Sequence, residues 1–186
     1  RAVMMPSPYT AQMSLHDSRE MVKRLGVRYD ELPIEPAMKT FEAMLAPLFA
    51  GRAADTTEEN LQARIRGMSL MALSNKFGDI VLTTGNKSEM AVGYATLYGD
   101  MAGGFAVIKD ILKTFVYRLC AYRNGISPVI PENILTRAPS AELKPDQKDQ
   151  DSLPSYEVLD AIIEAYMERN ESPRTIIAAG YSETDV

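Results

Sequence analysis

The residues best suited to bind a ligand lie in the segment Thr83–Glu89, where an apolar strand passes through a glycine into the start of a helix. Backbone N–H groups at a helix start have no partner inside the helix, and the helix dipole makes that end attractive to anions. Together with the hydroxyl groups of Thr84 and Ser88, they predict a phosphate site. Glu89 falls in the first helical turn, where its carboxylate is suited to an Mg²⁺ ion that bridges phosphate oxygens.

A simpler interpretation of the same segment is purely structural. Ser88 would then cap the helix, and Glu89 would only complement the helix dipole. The residues alone favour this interpretation, but the carboxyl end of a strand is where parallel α/β sheets bind ligands, which gives weight to the phosphate site. Both interpretations stay open at this point.

A second group of polar residues lies on one long predicted helix. Asn60 and Arg64 are four residues apart and therefore share a face, and Arg66 follows closely. These side chains are suited to a carboxylate or a phosphate. The alternative is a solvated face that also carries Glu58 and Glu59, which is the usual arrangement of charges on a surface helix.

Lys113 lies on a later predicted helix, after the glycine-containing stretch 99–104, where its flexible ammonium group could neutralise a polyphosphate. On an amphipathic helix the alternative is a lysine that is only solvated.

The sequence patterns typical of zinc sites, reactive cysteines and common nucleotide-binding loops are not found. His16 has no companion His or Cys in zinc-binding spacing, Cys120 lies among apolar residues and is predicted to pack, and neither a GxxxxGK[ST] nor a GxGxxG loop is present.

Strands and helices alternate along the chain. Short apolar segments predict strands at Ala2–Met5, Val27–Leu32 and Asp79–Thr84. A helix is predicted after each strand, and a further long helix begins at a capping box of Thr56 and Glu59 and ends at Gly78. The β-α-β-α-β-α order predicts an α/β fold, a doubly wound parallel sheet with helices on both faces.

The remaining segments complete the predicted architecture. The first helix is predicted to end at Gly26, and the second to carry Met38, Phe41, Leu45 and Leu48 on one face. Later helices are predicted from Ile108 to Gly125, over Ser155–Asn170 and from Ser172-Pro173 onwards. Residues 127–154 are Pro-rich and acidic, and they predict a long loop within the domain. Its segment Asp146–Ser152 is a candidate lid that orders when ligand binds.

Composition excludes several classes of protein. The chain has 186 residues, of which 46% are hydrophobic and 24% charged, as in an ordinary globular domain. A net charge of −5 disfavours nucleic acid as the main partner. No apolar run is long enough to span a bilayer, and a single cysteine is typical of a reducing compartment, so a cytoplasmic location is predicted. The eleven methionines are predicted to fill the core.

Three long motifs resemble the synthetase domain of the NAD synthetase family, particularly its glutamine-dependent form. They are EENLQARIRGMSLMALSN (58–75), VLTTGNKSEMAVGYATLYGDMAGGFAVIKDILKT (81–114) and IPENILTRAPSAELKPDQKDQDSLPSYEVLD (130–160), and MMPSPYT precedes them at 4–10. The resemblance implies a Rossmann-like ATP-pyrophosphatase fold assembled as a homodimer. It also implies ATP-dependent amidation of deamido-NAD to NAD through an acyl-adenylate, with release of AMP and pyrophosphate.

The resemblance also implies roles for individual residues. Glu89 and Lys113 are the implied catalytic pair, and Glu89 is the implied ligand of Mg²⁺ as well as a neighbour of the dinucleotide. The implied ATP contacts are Thr84, Lys113, Ser140 and Met5, and the implied deamido-NAD contacts are Asn60, Arg64 and Glu89.

Residues 1–186 resemble only the C-terminal part of the family's synthetase domain. The family's Ser-Gly-Gly-x-Asp-Ser pyrophosphate loop and its N-terminal amidase domain, which supplies ammonia from glutamine, have no counterpart in this sequence. We therefore expect the chain to be an excerpt of a longer protein and to be inactive by itself. Two alternatives stay open, a nucleotide-sensing domain without turnover and another amidating ATP pyrophosphatase of the same fold.

Overall fold

The computed structural model describes residues 1–186 as an α/β arrangement in which every strand pair is parallel. The strands are β1 (Ala2–Met4), β2 (Tyr29–Glu31), β3 (Leu82–Thr83) and β4 (Phe105–Ala106). β1 pairs with β2 in the register Ala2 to Tyr29, and β3 pairs with β4 in the register Leu82 to Phe105. The predicted α/β class with parallel strands is confirmed, and within this chain the strands form two separate pairs.

Eight helices connect and flank these strands. They are α1 (Gln12–Leu25), α2 (Glu35–Leu45), α3 (Thr56–Phe77), α4 (Lys87–Ala91), α5 (Lys113–Ile126), α6 (Glu132–Thr136), α7 (Tyr156–Ile163) and α8 (Pro173–Ala178). A 3-10 turn spans Asp149–Asp151, and one π-helical turn, Glu164–Glu168, continues α7.

Several predicted boundaries need correction. The strand predicted over Asp79–Thr84 is only two residues long, and its partner β4 was missed because it lies in a glycine-rich stretch. Helix α5 begins at Lys113 instead of near Ile108, since the chain first forms β4 and a turn. Helix α2 ends at Leu45, so Leu48 is 77% exposed and does not join the predicted apolar face.

Helix α3 is bounded by strong local signals. Its capping box is formed by Asp55 and Glu58, one residue before the predicted pair, and the Asp55 carboxylate accepts a hydrogen bond from the backbone N–H of Thr57 at 2.7 Å. Hydrogen bonding by Thr57, first through its side chain and second through its backbone N–H, holds the pKa of Asp55 below its usual value. Gly78 ends the helix with φ of 73°, a left-handed conformation that glycine adopts without strain.

The buried core is divided into small apolar clusters. In the first half, Ile34, Met38 and Ile65 bring α2 and α3 together. In the second half, Tyr156, Leu159 and Ile163 of α7 form another cluster. The prediction that methionines fill the core is wrong, because Met38 is the single buried methionine.

The chain leaves much of its apolar surface exposed. It exposes 11805 Å² in all, whereas a compact monomer of this length exposes roughly 8,900 Å². Helix α5 contains no buried residue at all. No helix of the structure combines the length and the apolar character needed to cross a membrane.

Candidate functional site

A cavity of about 730 Å³ opens beside the carboxyl end of β3. One wall is helix α3, a second consists of segments between residues 84 and 100 with Lys113, and a third comes from residues 139–149 of the Pro-rich loop. A volume of this size suits a nucleotide-sized ligand. The position at a strand end agrees with the prediction from the α/β pattern.

One face of α3 lines the cavity at helical spacing. Thr56, Asn60, Ala63 and Arg66 all contribute to the wall. The Oδ1 atom of Asn60 accepts a hydrogen bond from the Thr96 hydroxyl at 2.8 Å, which links the helix to the opposite wall. The cavity thus has a polar lining on two sides.

The two walls approach each other closely where glycines allow it. A Cβ atom on Gly67 would lie 2.8 Å from the carbonyl oxygen of Gly99, and a Cβ atom on Gly99 would lie 2.8 Å from Cβ of Ala63. Side chains at either glycine would push the loop away from α3. Glycine at these positions therefore sets the width of the cavity.

Glu89 and Lys113 form an ion pair in the cavity wall. The Lys113 Nζ atom lies 3.2 Å from Oε1 of Glu89, and each side chain is 20% exposed. The other carboxylate oxygen, Oε2, accepts a hydrogen bond from the backbone N–H of Asn86 at 3.2 Å. A carboxylate and an ammonium group are therefore held side by side where the cavity meets α4 and α5.

Buried polar contacts fix the backbone beneath this pair. Ser88 is fully buried and its hydroxyl donates to the Asp160 carboxylate of α7. The Ser88 oxygen also accepts from the Lys113 backbone N–H at 2.9 Å, and Asp160 Oδ2 accepts from the Thr114 N–H at 2.7 Å. Asp160 therefore caps α5 from a neighbouring helix and holds Lys113 next to α4.

These contacts correct the structural interpretation of Ser88. Asn86, not Ser88, is the N-cap of α4, and its side chain accepts from the Glu89 N–H at 3.0 Å. Glu89 completes that capping box, so it has a structural role besides its place in the cavity.

A second buried carboxylate lies at the base of the Pro-rich loop. Asp149 is 4% exposed and accepts from the Tyr156 hydroxyl at 2.7 Å and from the Tyr94 hydroxyl at 3.2 Å. Burial and the negative charge of Asp149 raise the pKa of both phenols, so both remain hydrogen-bond donors at neutral pH. These contacts anchor the segment predicted as a lid, and whether it orders with ligand stays a prediction.

Arg66 is the guanidinium group that the structure brings into the cavity. Its Nε atom donates to the Met5 carbonyl at 3.0 Å, and no carboxylate lies within ion-pair distance. Burial lowers the pKa of Arg66, but a guanidinium group still remains charged. The cavity therefore offers an unpaired positive charge to an anion.

The other predicted residues divide into two groups. Thr84, Ser140 and Asn60 line the cavity with Glu89 and Lys113. Arg64 does not, because it is exposed at the edge of the cavity-lining face of α3, where its Nε donates to the Leu97 carbonyl at 3.3 Å. Met5 also lies outside the lining, although its carbonyl oxygen is held by Arg66.

The protein donors fit Mg²⁺ in one particular mode. No three His, Cys, Asp or Glu side chains converge to form a metal cage. Mg²⁺ is commonly held by one or two carboxylates together with phosphate oxygens and water, and Glu89 in the cavity wall can supply such a carboxylate. The residues present therefore fit an Mg²⁺ ion that enters with a phosphate-bearing ligand.

Sequence reasoning missed Tyr94, Asp149, Tyr156 and Asp160. Tyr156 and Asp149 are seven residues apart, whereas Tyr94 and Asp149 are 55 apart. The Ser88–Asp160 contact spans 72 residues, and no local spacing signals it. Arg66 was named in the sequence analysis with Asn60 and Arg64, and it follows the cavity-lining Glu59 by seven residues, which returns it to the same helix face. The spacing of four between Asn60 and Arg64 pointed instead to the edge of that face.

Comparison with protein families and curated proteins gives consistent matches. The family model described as NAD synthase matches residues 1–186. The chain is 58% identical over 185 residues to the glutamine-dependent NAD(+) synthetase of Acinetobacter baylyi, covering 98% of this chain and 34% of that protein. It is 54% identical to the enzyme of the same name from Thermotoga maritima, over 100% of this chain and 33% of the relative. The chain thus spans about a third of the length of these curated relatives.

Solved structures agree with this result. The glutamine-dependent NAD+ synthetase from Acinetobacter baumannii, solved in complex with adenosine diphosphate, aligns with a TM-score of 0.73 and 50% identity over 99% of this chain and 33% of that one. The NMN synthetase from Francisella tularensis aligns with a TM-score of 0.80 and 29% identity over 88% of this chain and 66% of that one. The predicted Rossmann-like ATP-pyrophosphatase fold is therefore confirmed.

Proposed function

The chain belongs to the NAD synthase family, and from this premise we propose that its cavity is where ATP activates the carboxylate of deamido-NAD. The carboxylate attacks the α-phosphorus of ATP, pyrophosphate leaves, and ammonia then displaces AMP to give NAD. A carboxylate is a poor electrophile until one of its oxygens belongs to a good leaving group, which is what adenylation provides. The observation that carries the proposal is the Glu89–Lys113 pair in a nucleotide-sized cavity at the end of β3.

Lys113 acts on the phosphates. Its ammonium group reaches the cavity from the start of α5, whose backbone is fixed by Ser88 and Asp160. A positive charge held there stabilises the negative charge that grows on the leaving pyrophosphate. The hydroxyls of Thr84 and Ser140 are proposed as further ATP contacts, with Met5 beside the adenine.

Glu89 is the proposed ligand for Mg²⁺. The ion would neutralise phosphate charge when it is bound with ATP. The Glu89 side chain itself fixes the start of α4 through the capping box and holds the Lys113 ammonium at 3.2 Å.

Asn60 and Arg64 are the proposed contacts for deamido-NAD, with Glu89 at the border of that ligand. Asn60 lies in the cavity, whereas Arg64 lies outside it, so the dinucleotide would extend across the rim of α3. Arg66, within the cavity, is the guanidinium group best placed to pair with a phosphate or with the reacting carboxylate.

The working enzyme is proposed to be larger than this chain. The family's glutamine-dependent form implies an amidase domain in the same parent protein, which supplies ammonia, and the chain alone is expected to be inactive. A homodimer is proposed through α5, whose exposed Phe115, Leu119, Tyr122 and Ile126 have the alternating spacing of four and three that packs helix against helix. Light scattering of the parent protein with Leu119→Glu tests this, and an unchanged dimer mass would contradict that interface.

The test of function is formation of NAD and AMP by the parent protein given ATP, Mg²⁺ and ammonia, with and without deamido-NAD. Wild-type protein is expected to release AMP only with deamido-NAD, and Glu89→Gln is expected to lose most of this activity. AMP release that ignores deamido-NAD would contradict the proposal. ATP binding without turnover under any combination would favour the nucleotide-sensing alternative.

A second candidate substrate is suggested by the structural similarity to the Francisella NMN synthetase. The corresponding mononucleotide acid has the same reactive carboxylate but lacks the adenylate half of deamido-NAD. Parallel assays with the two substrates decide between them. A preference for the dinucleotide is expected, because the cavity continues towards Asn60 and the exposed Arg64.

A further inference from the structure

The Lys113 ammonium group has a second neighbour besides Glu89. Its Nζ atom lies 5.3 Å from the centroid of the Tyr156 ring. A cation within about 6 Å of an aromatic centroid is attracted to the negative face of the ring. The ammonium group is therefore held between a carboxylate and an aromatic face, and it retains donor capacity towards the cavity.

The Tyr156 ring is itself immobilised. Tyr156 is 4% exposed in the α7 cluster, and its hydroxyl donates to Asp149 at 2.7 Å. A phenol that donates to a carboxylate has a more electron-rich ring, which favours a cation at its face. Asp149 is fixed in turn by the Tyr94 hydroxyl at 3.2 Å, so the ring has a defined position beneath the cavity.

A lysine side chain on its own does not keep its charge in one position. Its four-carbon stem is flexible, and a strongly hydrated ammonium group readily follows the nearest carboxylate. Glu89 already pairs with this ammonium group at 3.2 Å, and Asp149 lines the same cavity. A restraint from a second, uncharged neighbour would keep the ammonium group available to phosphate.

We propose that Tyr156, held in place by Asp149, is a positioning residue that keeps the Lys113 ammonium directed at the phosphates of ATP. The proposal rests on the function proposed above and adds two residues to it. It also connects the Pro-rich loop to the reacting groups, since Asp149 belongs to that loop and Tyr156 begins α7. A loop that leaves its place would release the ring and, with it, the ammonium group.

The test replaces Tyr156 in the parent protein by phenylalanine and then by 4-fluoro-, 3,5-difluoro- and 3,4,5-trifluorophenylalanine. Each fluorine weakens the negative face of the ring while changing its shape little. From phenylalanine to the trifluoro variant we expect the dissociation constant of ATP to rise about threefold to tenfold in steps. The kcat of NAD formation is expected to fall in parallel, while the KM for deamido-NAD and the thermal midpoint stay unchanged.

The matched control repeats the series in a Lys113→Met background, where no cation faces the ring. The proposal is supported if the dissociation constant of ATP rises in steps when Lys113 is present and stays constant across the series in the Lys113→Met background. A flat series in both backgrounds, or equal steps in both, overturns it, since the ring would then have only a structural role.

Because ATP binding is measured separately from NAD formation, failure of this inference can be distinguished from failure of the proposed function. A parent protein that binds ATP but makes no NAD overturns the proposed reaction, and the binding series still decides the role of Tyr156. A parent protein that does not bind ATP overturns both. Tyr156→Phe alone measures the hydroxyl contact with Asp149, and its expected effect on ATP binding is about twofold.

Discussion

Each half of the molecule is held together internally by a different kind of contact. In the first half, α2 and α3 pack through the apolar residues Ile34, Met38 and Ile65. In the second half, α4, α5 and α7 meet through the buried polar residues Ser88 and Asp160. The cavity lies between the halves, and its ion pair belongs to the second.

Positional accuracy at the site depends on the second kind of contact. Apolar packing has no direction, and side chains of similar volume replace one another with modest loss. Hydrogen bonds to a buried carboxylate fix distances and angles, and removal of one partner leaves a buried group without its bond. Single substitutions in the half that holds Glu89 and Lys113 are therefore expected to impair catalysis as well as stability.

The largest effect is expected at the ion pair itself. In the parent protein Lys113→Met should lower the kcat of NAD formation about a hundredfold to a thousandfold, because a preorganised donor to the developing charge is lost. The matched control is Lys109→Met, an exposed lysine just before α5, which should leave kcat unchanged. Equal losses in the two variants would remove Lys113 from the proposed mechanism.

Asp160→Ala and Ile34→Ala each remove one central contact, the first from the second half and the other from the first half. Each should cost about 3 kcal/mol of local stability, one through unsatisfied donors and the other through a core cavity. Hydrogen exchange is expected to quicken at the start of α5 in the first variant and in α2 and α3 in the second.

Catalysis should separate these two variants even though their stabilities are similar. Asp160→Ala is expected to raise the KM for ATP as Lys113 loses its fixed backbone, whereas Ile34→Ala at a temperature below its unfolding should keep the wild-type KM. If Ile34→Ala changes ATP handling as much as Asp160→Ala, the halves do not differ in the way described.

A smaller effect is expected on α3. Arg66→Ala should raise the KM of a nucleotide substrate about tenfold, the value of one charge-assisted hydrogen bond in a partly buried site. Arg64→Ala should change the KM of deamido-NAD by about threefold at most, since Arg64 is exposed. Steady-state kinetics with each substrate varied in turn checks the order, and a larger effect at Arg64 would contradict the placement of the two side chains.

The smallest effect is expected at Asp55, the N-cap of α3, whose side chain does not line the cavity. Asp55→Ala should lower the thermal midpoint slightly at pH 7 by removing the cap, with activity unchanged. Because the folded pKa of Asp55 is depressed, its contribution is present above the unfolded pKa and is lost as pH falls through the folded value. The difference in midpoint from wild type is therefore expected to shrink in acid, and a constant difference would contradict the role of the carboxylate charge.

Local signals made part of this fold and site predictable. The end of α3 at Gly78, the start of α8 at Pro173 and the strand-to-helix turn before Glu89 all follow from neighbouring residues. Residues Thr84, Gly85 and Glu89 of the same turn line the cavity, and the phosphate site there stays a prediction. Strand bounds and the partner β4 were beyond such signals, since two-residue strands are defined by their pairing more than by their own composition.

The supporting groups of the site were not predictable for a similar reason. Asp160 bonds Thr114, 46 residues away, and Asp149 bonds Tyr94, 55 residues away. The methionine prediction failed because apolar positions at helical spacing were assumed to be covered within this chain, while Met44 of α2 is 65% exposed and Met68 of α3 is 66% exposed. Periodicity identifies an apolar face but does not say what lies against it.

The central claim is that the Glu89–Lys113 cavity adenylates deamido-NAD, and exchange of labelled pyrophosphate into ATP tests that step directly. In the parent protein without ammonia, exchange is expected to require deamido-NAD and Mg²⁺, and Glu89→Gln is expected to abolish it while ATP binding persists. Exchange at the wild-type rate in Glu89→Gln, or NAD formation without any exchange in the wild type, would contradict the account.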